Sequence, residues 1–210
     1  MAELDRRNPA PITSLNAPLL LRFGVGDTME FRIETEGPQR VIDHNTATIR
    51  GGTGDTAVGL KWHSQDRDPA TNTPAIAWIF HVAAPTGTNG FEGHGLAPSL
   101  RAVLTWQLPH DLALGFMPGV RYGSTPGGHR YASLSSGVVL NKQWTPRWRT
   151  FIENSAPQIA RAGNGGVVMS WDAGAAYLLT SDWQIGVRGG VAANHNTPNN
   201  FLLFELAGRF

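Results

Sequence analysis

Cysteine is absent from this 210-residue chain. That excludes disulfides and thiolate metal sites, and it suits an oxidising periplasm, where a stray thiol is a liability. Charge is sparse, at 16% of residues with a formal net charge of +1, and no dense Lys/Arg run appears. Nothing therefore points to nucleic acid or another polyanion as a partner. No apolar run approaches the roughly 18 to 20 residues of a membrane-spanning helix, and apolar spacing at the helical period is hard to find. Residues 1–8 are polar and hold no apolar leader core. For a secreted chain this leads us to expect a truncated or misassigned start, or a leader already removed.

Apolar residues make up 41%, glycine is abundant at 25 residues, and there are seven tryptophans. Alternation at period two runs almost throughout. Leu202, Phe204, Leu206 and Phe210 share one face, with Glu205 and Arg209 on the other. Trp183, Ile185, Val187 and Val191 alternate with Gln184 and Arg188; Trp171, Ala173, Ala175 and Tyr177 alternate with Asp172 and Gly174. Leu100, Ala102, Leu104 and Trp106 alternate with Arg101 and Thr105. Val58, Leu60 and Trp62 alternate with Lys61 and His63, and Met29, Phe31 and Ile33 with Glu30, Arg32 and Glu34. Weaker strands are expected at 18–25, 75–84, 111–122, 130–143 and 147–155. These segments are about ten residues long, the length a tilted strand needs to cross a bilayer. Hydropathy averaging would hide such a protein, because lipid-facing and lumen-facing residues cancel.

The connections alternate in length. Short ones fall at 24–27, 108–111, 144–147 and 179–182, with the longer 64–74 link on the same side; long loops are expected at 37–54, 85–97, 123–129, 157–165 and 194–199. Short turns at one end and long loops at the other is the pattern of an outer-membrane barrel. The expected fold is thus all-β, an antiparallel up-and-down transmembrane β-barrel of about twelve strands. Eleven are visible and even numbers are the rule, so a twelfth should precede Pro18 and run upward from the periplasm. Residues 1–8 look too short and polar to supply it, and the first strand is expected to be fragmentary or lost with the leader. Residues 1–16 read as an N-terminal arm or strand remnant, and 17–210 as the barrel domain.

Trp62, Trp106, Trp148, Tyr177, Trp183 and Phe210 all fall near the short-turn ends on the apolar parity. They are expected to form the aromatic belt at the lipid boundary. A soluble β-sandwich core would not need its aromatics gathered at one end of successive strands. The terminal strand ending on Phe210 resembles the signal read by the barrel-assembly machinery, a second expected partner beside the lipid bilayer.

The other parity carries Glu30, Arg32, Glu34, Lys61, His63, His81, Arg101, Arg121, Arg149, Glu153, Asp172, Arg188, Glu205 and Arg209, expected to line the lumen. Counting back from the hairpin turns sets Asp172 and Glu205 opposite Arg188, Glu30 opposite Lys61, Arg149 near Asn141 and His81 opposite Ala57. Charges in a closed interior are costly unless paired. They therefore either brace the wall or set selectivity, and both roles can coexist. Phe151, Ile79 and Val103 add apolar surface to the same face. No Ser/His/Asp set converges by register, no His-x-His pair or acidic cluster has metal-ligand spacing, and the glycine-rich stretches at 51–54 and 123–128 lack the Lys-Ser/Thr ending of a phosphate loop. Neither catalysis nor a metal or cofactor is expected.

Six stretches then carry a resemblance: GDTAVGLKW (54–62), HVAAPTG (81–87), APSLRAVLTWQLP (97–109), FMPGVRY (116–122), residues 131–160, and WDAGAAYLLTSDWQIGVRGG (171–190). From about residue 15 onward the chain resembles the transporter-like outer-membrane family named for the MetA pathway of phenol degradation. The resemblance implies a barrel of about twelve strands and a porin-like role in passive passage of small molecules, aromatic or hydrophobic compounds among them. It supplies no catalytic residues. His110 departs from an ordinary turn residue. The rival readings are a plugged structural or surface-interaction barrel and a soluble lipid-binding β-barrel, which would turn the apolar parity inward.

Overall fold

The computed structural model describes residues 2–5, 12–125, 127–197 and 200–210. Apart from one 3₁₀ turn at Ala162–Asn164, its regular structure is β. Sixteen ladder segments form one antiparallel sheet. Four pairs of consecutive segments are halves of single strands. Pro38–Asp43, for example, continues the register of Met29–Thr35 against the next strand, Thr35 facing Thr56 and Pro38 facing Thr53.

Joined in this way, twelve strands result: β1 (Ala2–Asp5), β2 (Ile12–Asn16 with Leu19–Val25), β3 (Met29–Thr35 with Pro38–Asp43), β4 (Thr48–Thr53 with Thr56–Gln65), β5 (Ala75–Ala84), β6 (Ala97–Leu108), β7 (Leu112–Phe116 with Gly119–Ser124), β8 (Arg130–Gln143), β9 (Trp148–Ile159), β10 (Val167–Leu178), β11 (Trp183–Ala192) and β12 (Asn200–Gly208). Each pairs with its sequence neighbours, and β1 pairs with both β12 (Ala2 to Leu202) and β2 (Ala2 to Leu15). The ring of pairing closes. Closure at the long-loop end removes there the sheet edges that lipid does not tolerate.

Two expectations are corrected. Ala2–Asp5, within a stretch expected to be too short and polar, supplies the twelfth strand as a four-residue fragment, rising toward the long-loop end as Leu4 meets Asn200. Main-chain pairing needs no apolar side chain, so the sequence pattern is silent there. Ile12–Asn16, read as part of an arm, is likewise in the sheet. Secondly, the expected loop at 37–54 is a hairpin, with Pro38–Asp43 laddered to Thr48–Thr53 and its turn held by the Asp43 carboxylate accepting from the amides of Asn45 and Thr46. Among the described residues β1 occupies only the long-loop end of its seam. Among those residues Leu203–Gly208 of β12 has no ladder partner on that side, and Phe204 is 75% exposed.

The turn after β6 places His110 and Asp111 successively in the left-handed region (φ 62° and 56°), the conformation that tight hairpins demand and non-glycine residues resist. Pro157, which cannot donate to a ladder, sits where the β9–β10 register shifts between Ser155 and Gln158.

The dressing of the barrel is inverted relative to a soluble protein. Phe23, Val58, Leu60, Trp78, Phe80, Ile185, Val187, Leu202 and Leu206 are exposed on the outer face. Among the described residues no large side chain is fully buried, whereas His81, Ser133, Ser170 and Asp172 are buried. A soluble lipid-binding barrel would show the reverse. Among the described residues no helix is long and apolar enough to cross a membrane, so any crossing falls to the strands.

Candidate lumen site

Two charged clusters build the inward face. The first lies on β9 to β12. Glu153 and Asp172 are direct ladder neighbours, an arrangement in which like charges repel. Arg188 answers them: its Nη1 lies 3.7 Å from Glu153 Oε2 and 3.8 Å from Asp172 Oδ1, and its Nε 4.0 Å from Glu205 Oε1. The guanidinium also sits 5.8 Å from the Phe201 ring centroid. Glycine makes the room. A Cβ on Gly190 would meet Phe201 Cε1 at 2.4 Å, and one on Gly174 would meet Phe151 Cζ at 2.6 Å. The partners expected for Arg188 are therefore the partners found, although the ladder register differs by two residues: Arg188 faces Gly174 and Leu203, while Asp172 faces Gly190. A long arginine spans that diagonal.

The second cluster lies on β2 to β7. One row of ladder pairs runs Arg22, Arg32, Gly59, His81, Ser99, Arg121. The adjoining row runs Glu30, Lys61, Ile79, Arg101. Glu30 opposite Lys61 is as expected; His81 faces Gly59 rather than Ala57. That glycine is required, since a Cβ there would lie 1.8 Å from His81 Cδ2. Arg101 Nη2 donates to His81 Nδ1 at 3.0 Å, and Glu34 Oε2 approaches the same nitrogen at 3.3 Å. Only one of these can be a hydrogen bond at a time, because Nδ1 either accepts from Arg101 or donates to Glu34. Arg32 Nε and Glu30 Oε1 are 3.6 Å apart.

Both clusters keep buried polar atoms without a hydrogen-bond partner among the described residues: Glu30 Oε1, His81 Nε2, Arg32 Nε and Arg101 Nε in one, Asp172 Oδ1 and Arg188 Nε in the other. Groups of this kind are costly.

The remaining expected lumen residues lie elsewhere. His63 is at the short-turn end, paired with Asp66 at 2.7 Å. Arg149 faces Gln143 rather than Asn141. Arg209, expected in the lumen, lies past the end of β12 and binds Asp182 of the β10–β11 turn at 2.9 Å. Among the described residues no three His, Asp or Glu side chains converge to hold a metal.

Of the expected belt, Trp62, Trp148, Tyr177, Trp183 and Phe210 are exposed, and Trp106 is half-buried. Trp148 meets Tyr177 at 6.2 Å, and Trp183 meets Phe210 edge-on at 5.8 Å. Trp78 and Trp144 were not anticipated. Trp78 is the ladder partner of Trp62, and Trp144 lies 5.3 Å from the Lys142 ammonium. The outward parity of Trp78 on β5 was the signal available for it.

An up-and-down β-barrel with an apolar exterior and a charged interior defines a membrane-barrel class of protein. The family model described as "Putative MetA-pathway of phenol degradation" matches residues 12–210, and the chain belongs to that family. Among solved structures it is similar to an outer membrane channel from Pseudomonas putida F1, with 14% identity, a TM-score of 0.66, and coverage of 94% of this chain and 81% of that one. None of the curated proteins matches.

Proposed function

We propose that this protein is a channel of the bacterial outer membrane, passing small molecules down their gradient through its lumen. One observation carries the reading: apolar side chains face outward around a closed ring while arginines and carboxylates face inward. A polar lumen within an apolar shell is how barrels conduct. Family membership and the likeness to a protein titled an outer membrane channel support it. Aromatic or weakly polar cargo fits the inward Phe151, Ile79 and Val103 among the charges. The exposed β12 face ending at Phe210 suits recognition by the assembly machinery.

The test is conductance in planar bilayers. The wild-type barrel is expected to conduct, and replacing Arg188 and Arg149 with alanine to shift its ion selectivity toward cations. A folded, inserted barrel that passes neither ions nor small solutes would overturn the proposal and leave a plugged structural role. Conductance with unchanged selectivity would assign both arginines to bracing the wall.

A further inference from the structure

The two lumen clusters stand on opposite walls. In a ring of twelve, strands six apart face each other. His81 on β5 therefore stands across from Arg188 on β11, and Arg101 on β6 across from Glu205 on β12. Each of the four lies near the middle of its strand. The walls also differ in sign. Arg22, Arg32, Lys61, Arg101 and Arg121 outnumber Glu30 and Glu34 on one, and Glu153, Asp172 and Glu205 outnumber Arg149 and Arg188 on the other.

Wall bracing alone would neutralise each cluster locally. Here each wall keeps a surplus of one sign and a deeply buried group with an unused atom. Asp172 is 4% exposed with Oδ1 unpartnered, and His81 is 5% exposed with Nε2 unpartnered. Donors and acceptors are left over on both walls, Glu30 Oε1 beside the arginines on one and Arg188 Nε beside Asp172 Oδ1 on the other, so it is the surplus of charge that sets the walls apart.

We propose that these walls form a selectivity zone for small zwitterions, the carboxylate drawn to the Arg32–Arg101 side and the ammonium to the Glu153–Asp172–Glu205 side. This rests on the channel reading above. Fixed charges of opposite sign across a narrow lumen create a transverse field, strengthened by low-dielectric walls. A solute carrying both charges aligns with that field and is favoured at both ends. A single ion is attracted by one wall and repelled by the other, and an uncharged solute gains little. The Phe151 and Phe201 rings beside the acidic wall add faces on which an ammonium can rest.

The experiment is osmotic swelling of liposomes holding the full chain, comparing 4-aminobutyrate with its uncharged isomer 4-hydroxybutyramide. Size and composition are matched, so the ratio of the two rates reads the field. Wild type is expected to admit the zwitterion several-fold faster. Arg22→Gln with Glu205→Gln should bring the ratio toward one, whereas Arg22→Lys with Glu205→Asp should keep it. Both positions are exposed, so only a small loss of stability is expected, and any change in total flux cancels in the ratio. If wild type passes both isomers equally, the zwitterion zone is refuted and the channel stands. If the ratio survives the charge-removing pair, these walls are not its source. If folded wild type passes neither isomer, channel and zone fall together.

Discussion

Arg188 is the only cation within ion-pair reach of Glu153, Asp172 and Glu205 among the described residues. Replacing it with methionine keeps much of the side-chain volume and removes the charge. Glu205 is half exposed and water in the lumen screens it, so the loss falls on Glu153 and on Asp172, whose side chain is 1% exposed. Stripping the partner from a buried carboxylate costs about 3–5 kcal/mol. Arg188 is itself 27% exposed and its contacts are longer than hydrogen bonds, so a loss of about 2–4 kcal/mol is expected. Urea unfolding of the barrel in phosphatidylcholine vesicles, followed by tryptophan fluorescence, measures it. Adding Asp172→Asn and Glu153→Gln to Arg188→Met removes the repulsion and should recover most of the loss. The reasoning fails if Arg188→Met unfolds like wild type, or if the neutralised triple variant is no more stable than Arg188→Met.

Two further outcomes are expected. Gly59→Val should cost about 1–3 kcal/mol by overpacking, because its Cβ would land on the His81 ring and 2.6 Å from the Phe80 carbonyl oxygen; adding His81→Ala should return the part due to the ring on the same unfolding curve, and no recovery would assign the cost to the backbone contact. At the β10–β11 turn, the Ser181 hydroxyl and then Arg209 hold the Asp182 carboxyl below its ordinary value of 3.8. A depressed carboxyl contributes stability that is present above that value and lost as pH falls through the folded one. Asp182→Asn should therefore unfold earlier than wild type at about pH 7, with the gap closing only below the ordinary carboxylate range; a gap that persists in strong acid would rule out the charge as its cause.

Faces were legible in the sequence where partners were not. Alternation assigns a side chain to lumen or lipid by parity, and a register error of two residues leaves parity intact. Arg188 and Asp172 were thus placed on the right face, and they interact because arginine reaches a diagonal neighbour, although their ladder partners are glycines. His81 shows the cost of the same error, since the residue it rests on is Gly59, not Ala57. Where neither face is buried, alternation is not enforced. Thr48–Arg50 is exposed throughout, and in the sequence its hairpin has the pattern of a loop. β1 is the extreme case, recognisable only by the two strands it pairs with.

The opposition of the two walls lies beyond any local pattern. Arg101 and Glu205 are distant in sequence and share no ladder; they lie six strands apart in the sheet order. Bracing and selectivity can accordingly be separated. Bracing acts between side chains along one wall, as where Arg188 reaches across to relieve the repulsion of the ladder neighbours Glu153 and Asp172, and it appears as unfolding free energy. Selectivity acts across the lumen, between groups that contribute little to each other's stability, and appears as a ratio of solute rates. Arg188→Met should move the first strongly. The exchange of Arg22 and Glu205 for glutamine should move the second while leaving the unfolding midpoint near wild type. A midpoint that falls as far as in Arg188→Met would show that the exposed charges brace the wall as well, and that the two roles are not divided between different residues.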